Sequence, residues 1–242
     1  MAGHSKWANI KHRKAKSDAK KGKAFSSVTK EIIVAVKAHG PDPKSNPQLR
    51  LAITRAKAVN LPNENIERNI KKAQSKDQSN FDEVTYEVYG SGGVGIICRA
   101  LTDNKNRTAS DMRIATNKRG GTIAVPGSVA FNFDKLGVIQ IEKGKVDSEK
   151  LFVDALDAGA IDFSIEEEVF IITTNPEDLY KVKEELDKKG YSTKDPSLEM
   201  IPKNYIECND EDVEKNLALI EFIEDLDDLD EVYHNMMIRS LE

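Results

Sequence analysis

Apolar residues recur every three or four positions through the first third of the chain, which is the spacing of amphipathic helices. One stripe runs from Ala24 to Val36, a second from Leu49 to Val59, and a third from Ile66 to Ala73. Helix-breaking residues separate the stripes, and an Asn-Pro pair opens the second. Short amphipathic helices must bury their stripes against one another, so we predict a helical N-terminal domain over residues 1–79. Residues 74–80 are expected to form the linker to the next domain.

Beyond the linker the apolar period changes to two, which predicts strands. Val84, Tyr86 and Val88 alternate with polar residues, and Val94–Leu101 forms a second apolar run. Thr108 and Asp111 have the spacing of a capping box, so we predict a helix from Thr108 to about Lys118. Two further strands are expected to flank residues 126–128.

From residue 135 the patterns follow the order β-α-β-β-α-β, which is typical of a ferredoxin-like domain. The tail then predicts a strand at 205–208, a helix lined by Val213–Ile223 and a strand at 232–238. We expect this tail to complete the middle domain, because the ends of a ferredoxin-like unit lie close enough for insertion. The sequence thus predicts an α+β fold of three domains: 1–79 (helical), 80–134 with 204–242 (α/β), and 135–203 (inserted, ferredoxin-like).

Charge is divided unevenly along the chain, although its formal net charge is only −5. Residues 1–78 carry 18 Lys/Arg and 6 Asp/Glu, a net of +12, and the remainder carries 18 and 35, a net of −17. A basic front on an acidic body indicates that the front meets a polyanion while the body stays clear of it. Attraction between the two parts of the free protein is a second interpretation.

The most basic stretch lies at the start, where residues 11–23 hold seven Lys/Arg, one His and one acid. Cations held against phosphates release counterions and give affinity without sequence preference. Trp7, the single Trp, lies beside this basic block and either stacks on an exposed base or anchors a core. A solvated basic helix face is the alternative interpretation of the whole block.

The motifs give no support to catalysis. Gly90–Gly95 satisfies GxGxxG, but a strand follows it instead of a helix, so a hairpin turn is expected rather than a dinucleotide site. The four His show no ligand spacing and no CxxC occurs, so we predict no metal, no cofactor and no enzymatic activity. The carboxylates of Glu221–Glu231 are expected to form a solvated acidic helix end, with a cation site as the alternative.

Two cysteines, Cys98 and Cys208, lie in apolar runs and are expected to be reduced thiols, as in a cytoplasmic protein. The opening residues lead to no apolar run of a signal peptide, and no stretch has the length of a membrane span. We therefore expect a soluble, cytoplasmic protein without membrane contact.

Two loops are weaker candidates for contacts. The polar residues of Thr102–Thr108 either present amides and two cations, Lys105 and Arg107, to an anion, or simply cap a connection. The sequence 120–128 contains several glycines and few charges, which fits either a mobile loop that inserts into a partner or a hairpin.

Four stretches together resemble the YebC family: MAGHSKWANIKHRKAK at the start, residues 46–72, residues 89–108 and residues 224–235. The mitochondrial translational activator of cytochrome c oxidase is similar to this family. The resemblance extends over essentially the whole chain and implies a helical domain followed by two α/β domains around a large cleft, the third inserted in the second.

The resemblance also implies function. Bacterial members are described as transcriptional regulators that bind DNA, and other members resemble translation factors that act at the ribosome. We therefore expect a non-enzymatic, nucleic-acid-binding regulator of gene expression, with DNA, rRNA or the ribosome as partner. The oligomeric state is left open, a monomer included. The expected contacts are Lys6, Trp7, Lys11, His12, Arg13, Lys14, Lys16, Lys20, Lys21 and Lys23, together with Lys105 and Arg107.

Overall fold

A computed structural model describes residues 21–75 and 80–237. The described chain has a helical N-terminal region followed by mixed helix and sheet, which confirms the predicted α+β fold class. It falls into two compact units, one of residues 133–201 and one of the remaining described residues. The three predicted domain boundaries are not resolved by this division and stay a prediction.

Three helices form the N-terminal region: α1 (Lys21–His39), α2 (Pro47–Ala58) and α3 (Asn63–Ala73). Gly40 ends α1 in the left-handed conformation that favours glycine, with φ at 86°. The Asn46 side chain caps α2 by accepting a hydrogen bond from the Leu49 amide at 2.9 Å, and it is itself fully buried. The predicted apolar stripes meet in one core around Ile32, Leu49 and Ala56.

The first sheet consists of β1 (Asp82–Tyr89), β2 (Gly95–Thr102), β3 (Thr122–Ile123) and β8 (Leu229–His234). Their order across the sheet is β3-β1-β2-β8. The turn between β1 and β2 contains the GxGxxG glycines and joins two antiparallel strands, so the predicted hairpin is confirmed. Strand β8 pairs antiparallel with β2, so the tail joins the sheet of residues 82–123.

Two helices, α4 (Lys105–Arg119) and α7 (Asp210–Glu224), share the core of the first sheet. Its fully buried side chains include Ile96, Met112 and Leu219. The strand predicted at 205–208 is wrong: Ile206 makes only a single bridge, to Met236. The last strand was predicted at 232–238 and instead runs from Leu229 to His234, and Ile238 lies outside the described residues.

The unit of residues 133–201 contains the second sheet. Its elements are β4 (Phe133–Glu142), α5 (Ser148–Ala158), β5 (Asp162–Ile165), β6 (Val169–Thr174), α6 (Leu179–Lys188) and β7 (Thr193–Pro202). The strand order β5-β6-β4-β7 is the ferredoxin-like arrangement. Leu151 and Leu186 from the helices pack on Ile139 and Ile172 of the sheet. The last strand was expected near residues 191–194 and instead runs on to Pro202.

Candidate nucleic-acid interface

Most of the predicted basic block lies outside the described residues, namely Lys6, Trp7, Lys11, His12, Arg13, Lys14, Lys16 and Lys20. Lys21 begins the described part of α1, and Lys23 follows within its first turn. The structure thus bears on only the end of the block, and the contacts assigned to the rest stay a prediction.

The acidic segment Glu224–Glu231 is contacted by Lys23 and Lys30 of α1. The Lys23 ammonium donates to the backbone carbonyls of Glu224 and Leu226, where α7 ends. Carbonyls at a helix C-terminus carry partial negative charge, so a cation is stabilised there. Lys23 is therefore engaged within the chain, although the sequence indicated it as a nucleic-acid contact.

A half-buried ion-pair cluster ties the helical region to the first sheet. The Arg55 guanidinium of α2 lies 3.0 Å from Glu31 of α1 and 2.7 Å from Glu231 of β8. The second guanidinium, that of Arg99 on β2, lies 3.0 Å from Glu231 and also pairs with Asp230. We call these five residues, Glu31, Arg55, Arg99, Asp230 and Glu231, the ion-pair cluster. Because they come from α1, α2, β2 and β8, the cluster fixes the helices against the sheet.

Burial and the neighbouring charges together set the pKa values in the ion-pair cluster. Burial raises the pKa of Glu31 to about 7, against a smaller lowering by Arg55. Burial also lowers the pKa of Arg99, but the charges of Glu231 and Asp230 outweigh that effect and raise it well above the usual value. The cluster thus holds two permanent cations among three carboxyl groups, one of which takes up a proton near neutral pH.

Asp228 is the anion at the N-terminal turn of α4, where the sequence indicated a site for an external anion. Its Oδ2 accepts hydrogen bonds from Arg107 at 2.7 Å, Thr108 at 2.9 Å and Thr102 at 3.0 Å. On its other oxygen it pairs with Lys30 at 3.1 Å. Burial raises the pKa of Asp228, but hydrogen bonds from Arg107 and two neighbours outweigh it and lower the pKa to about 2.

The start of α4 corrects the sequence prediction. The helix begins at Lys105, three residues before the predicted capping box, and Asn104 is its N-cap, accepting from the Arg107 amide at 3.1 Å. Asn is a better N-cap than Thr, and the Thr108 hydroxyl is turned to Asp228 and Thr102. Thus the interpretation of this turn as a capped connection is the one that the contacts support.

The two cations predicted in this turn have different surroundings. Lys105 is exposed and lies 3.1 Å from the equally exposed carboxylate of Asp82. Exposed pairs of this kind are weak, so a phosphate competes with Asp82 for Lys105 at little cost. Arg107 is half-exposed and bound to both Asp103 and Asp228, which leaves it less available.

The loop 120–128 is anchored at its end by Glu87. This buried carboxylate accepts hydrogen bonds from the backbone amides of Gly127, Val129 and Ala130, at 2.5, 2.6 and 2.8 Å. Burial raises the pKa of Glu87, but the three amides more than offset it and lower the pKa. Val125, in contrast, is 75% exposed at the tip. The loop therefore presents an apolar tip from a fixed base.

The described helical region carries 11 Lys/Arg and 4 Asp/Glu over residues 21–75, a net of +7. Besides Lys37, which donates to the Asn80 side chain, four of its lysines are exposed, and within the described ranges none of these four has an ion-pair partner. They are Lys44, Lys57, Lys71 and Lys72. We call them the exposed lysines. Sequence reasoning did not single them out, although the net charge of residues 1–78 was the signal that could have found them.

The described residues hold no group of three or more His, Cys, Asp or Glu that could bind a metal ion. Over the same ranges, no helix has the length and apolar character to cross a membrane.

Two family models match the chain from near its start to near its end. The model described as "TACO1/YebC protein N-terminal domain" matches residues 5–76, and the one described as "TACO1/YebC second and third domain" matches residues 81–236. The chain belongs to the TACO1/YebC family. The resemblance seen in the four sequence stretches is thereby confirmed.

Relatives in the TACO1/YebC family are similar over their whole length. "Probable transcriptional regulatory protein pc1328" of Protochlamydia amoebophila is 60% identical over 238 residues, which cover 98% of this chain and 97% of that protein. "Probable transcriptional regulatory protein CTL0717" of Chlamydia trachomatis is 55% identical over 237 residues, covering 98% and 100%. These names describe regulators and mention no catalysis.

A crystal structure of the conserved hypothetical protein Aq1575 from Aquifex aeolicus is also similar. It superposes with a TM-score of 0.84 at 42% identity, and the match covers 98% of this chain and 100% of that one. The TACO1/YebC fold described above is therefore shared with an experimental structure.

Proposed function

We propose that this TACO1/YebC protein is a non-enzymatic regulator of gene expression that binds nucleic acid through its basic N-terminal region and acts on DNA. The observation that carries the proposal is which charged side chains already have partners of opposite charge within the chain. The acids at 228, 230 and 231 are neutralised within the chain, whereas the exposed lysines are not. A polyanion therefore meets positive charge on the helical region, to which residues 1–20 add six further Lys/Arg.

The type of cation favours recognition of phosphates over bases. Lysine holds a phosphate as a point charge, whereas base reading in the major groove relies on bidentate Arg, Asn or Gln side chains. Contacts with phosphate position a protein on nucleic acid but carry no sequence information. For this reason a ribosome-associated translation factor that grips rRNA is a second candidate function.

Binding and its salt dependence test the proposal. The variant Lys11→Ala/Arg13→Ala/Lys14→Ala should bind all sequences more weakly. The slope of log affinity against log salt should fall by roughly 0.7–0.9 for each phosphate contact that is lost. A matched control removes three lysines from the unit of residues 133–201 and should leave the slope unchanged. It is Lys183→Ala/Lys188→Ala/Lys194→Ala.

Equal slopes for the triple variant and the control would overturn the assigned surface. Lack of affinity for DNA, RNA and ribosomes at low salt would overturn the function itself. Promoter DNA binding and co-sedimentation with ribosomes, both in about 150 mM salt, separate the two candidates. Promoter-specific binding without ribosome association excludes the translation factor, and the reverse result excludes the transcriptional regulator.

A further inference from the structure

A groove of about 310 Å³ opens between α4 and the edge of the first sheet. Tyr86 of β1, Arg113 and Asn117 of α4, and Ile123 of β3 line it, together with small residues. Small-molecule sites range from roughly 300 to 1,000 Å³, so this groove has room for one flat ring system and not for a large cofactor.

Rigid elements build the groove. Arg113 and Asn117 are one helical turn apart and share a face of α4. Gly120 ends that helix with φ at 73°, and the chain returns at once as β3, pairing Ile123 with Val88. Because β3 has only two residues, it ends before it covers the face of α4 that carries Arg113 and Asn117, and that face stays exposed.

The lining combines apolar side chains with exposed polar ones. Tyr86 and Ile123 pack on the core of the first sheet and line the groove as well. Arg113 and Asn117 are exposed, and over the described chain neither side chain has a hydrogen bond or an ion pair.

Arg113, a cation, is the one charged side chain among the residues that line the groove. Burial raises the pKa of Tyr86, the charge of Asp228 adds to this, and Arg113 acts in the opposite direction. No carboxylate lines the groove, and nearby Asp228 is held by Lys30 and Arg107. An anionic ligand therefore meets no opposing charge from the lining.

We propose that this groove binds one unstacked nucleotide of a single-stranded nucleic acid. The base lies on Tyr86 and Ile123, the Asn117 amide bonds its edge, and the Arg113 guanidinium binds the adjoining phosphate. A primary amide both donates and accepts, as a base edge requires, and bases inside a duplex are not free to enter such a site. The inference rests on the proposed function, and it adds a contact with a base to the phosphate contacts proposed for the helical region.

The test measures binding of fluorescein-labelled 12-nucleotide RNA and DNA of one sequence, each as a single strand and as a duplex, by anisotropy. Asn117→Ala should weaken single-strand binding roughly 3- to 10-fold, and Tyr86→Leu roughly 5-fold or more. Duplex affinity should not change. The matched control is Asn106→Ala, the same substitution at an exposed position of α4 about 16 Å along the helix and outside the groove.

The outcomes separate the groove from the proposed function. If the wild-type chain binds single strands and Asn117→Ala behaves like Asn106→Ala, the groove proposal is wrong while the function stands. Equal losses on duplex and single strand would also overturn it, because the groove would then contact only the backbone. A chain that binds none of the four probes overturns both proposals. Asn117 is exposed, so its variant tests the groove even if Tyr86→Leu unfolds. A larger loss on RNA than on DNA assigns the nucleotide to RNA.

Discussion

Replacing Glu31 with Gln removes the one carboxyl group of the ion-pair cluster that takes up a proton near neutral pH. Glutamine has almost the shape of protonated glutamic acid, and its carbonyl oxygen can still accept from the Arg55 guanidinium, 3.0 Å away in the wild type. The substitution should therefore leave the packing intact and abolish only the titration.

The size of the effect follows from the pKa of Glu31, about 7 in the folded chain against an ordinary 4.5. The folded state binds more protons than the unfolded state between these values, so stability falls as pH rises from 4.5 to about 7 and levels off above it. One pKa unit corresponds to about 1.4 kcal/mol, which gives a loss of up to about 3 kcal/mol between pH 5 and pH 8.

Urea unfolding followed by far-UV circular dichroism at pH 5, 6, 7 and 8 measures the difference. The wild type should lose stability relative to Glu31→Gln across this range, and subtracting the two curves cancels the titration of all other groups. Glu67→Gln, at an exposed position of α3, is the matched control and should run parallel to the wild type. Parallel curves for wild type and Glu31→Gln would refute the reasoning, because Glu31 would then be ionised in the folded protein throughout.

Two further predictions concern other parts of the fold. Gly137→Ala on β4 should cost about 1–3 kcal/mol in urea unfolding, since its Cβ would overlap the Thr174 hydroxyl and lie 3.0 Å from Leu179 Cβ; a cost below about 0.5 kcal/mol, the range of surface substitutions, would contradict this packing. Asp228→Asn removes a carboxylate with a pKa of about 2, whose stabilisation is present above the ordinary 3.8 and is lost as pH falls towards 2. The wild type should thus lose up to about 2 kcal/mol more than the variant between pH 4 and pH 2, and equal acid sensitivity would count against the Asp228 contacts.

Local periodicity was enough to predict the helices of the N-terminal region and the order of helices and strands along residues 133–201. The stripes of α1 and α2 were read correctly because apolar spacing and the Asn46 cap are local signals. The predicted start of α4 was wrong, because Thr108 has the spacing of a capping box but its hydroxyl donates to Asp228, 120 residues away in sequence. A hydrogen bond to a residue so distant in sequence cannot be recognised from the local pattern of residues.

The contacts of the acidic segment were also not predictable from the local pattern of residues. A dense run of carboxylates was expected to be solvated, but Asp228 is 6% exposed and Asp230 and Glu231 are half-buried with cationic partners. Their partners Arg55 and Arg99 are more than 130 residues away, and nothing in their neighbourhood along the chain marks them as different from surface cations. Of the two interpretations of the uneven charge, attraction between the parts is thus realised in the free chain.

That attraction changes how much positive charge the helical region offers to a polyanion. Lys23, Lys30 and Arg55 hold the region against the first sheet, whereas the exposed lysines have no partner in the described chain. The two groups should respond differently to salt. Pairs that are buried are screened little, and phosphate contacts made by exposed lysines are screened strongly. Salt that releases nucleic acid should therefore leave the helices docked, so a fall in affinity on adding salt reports on the exposed lysines and the basic block rather than on loss of the fold.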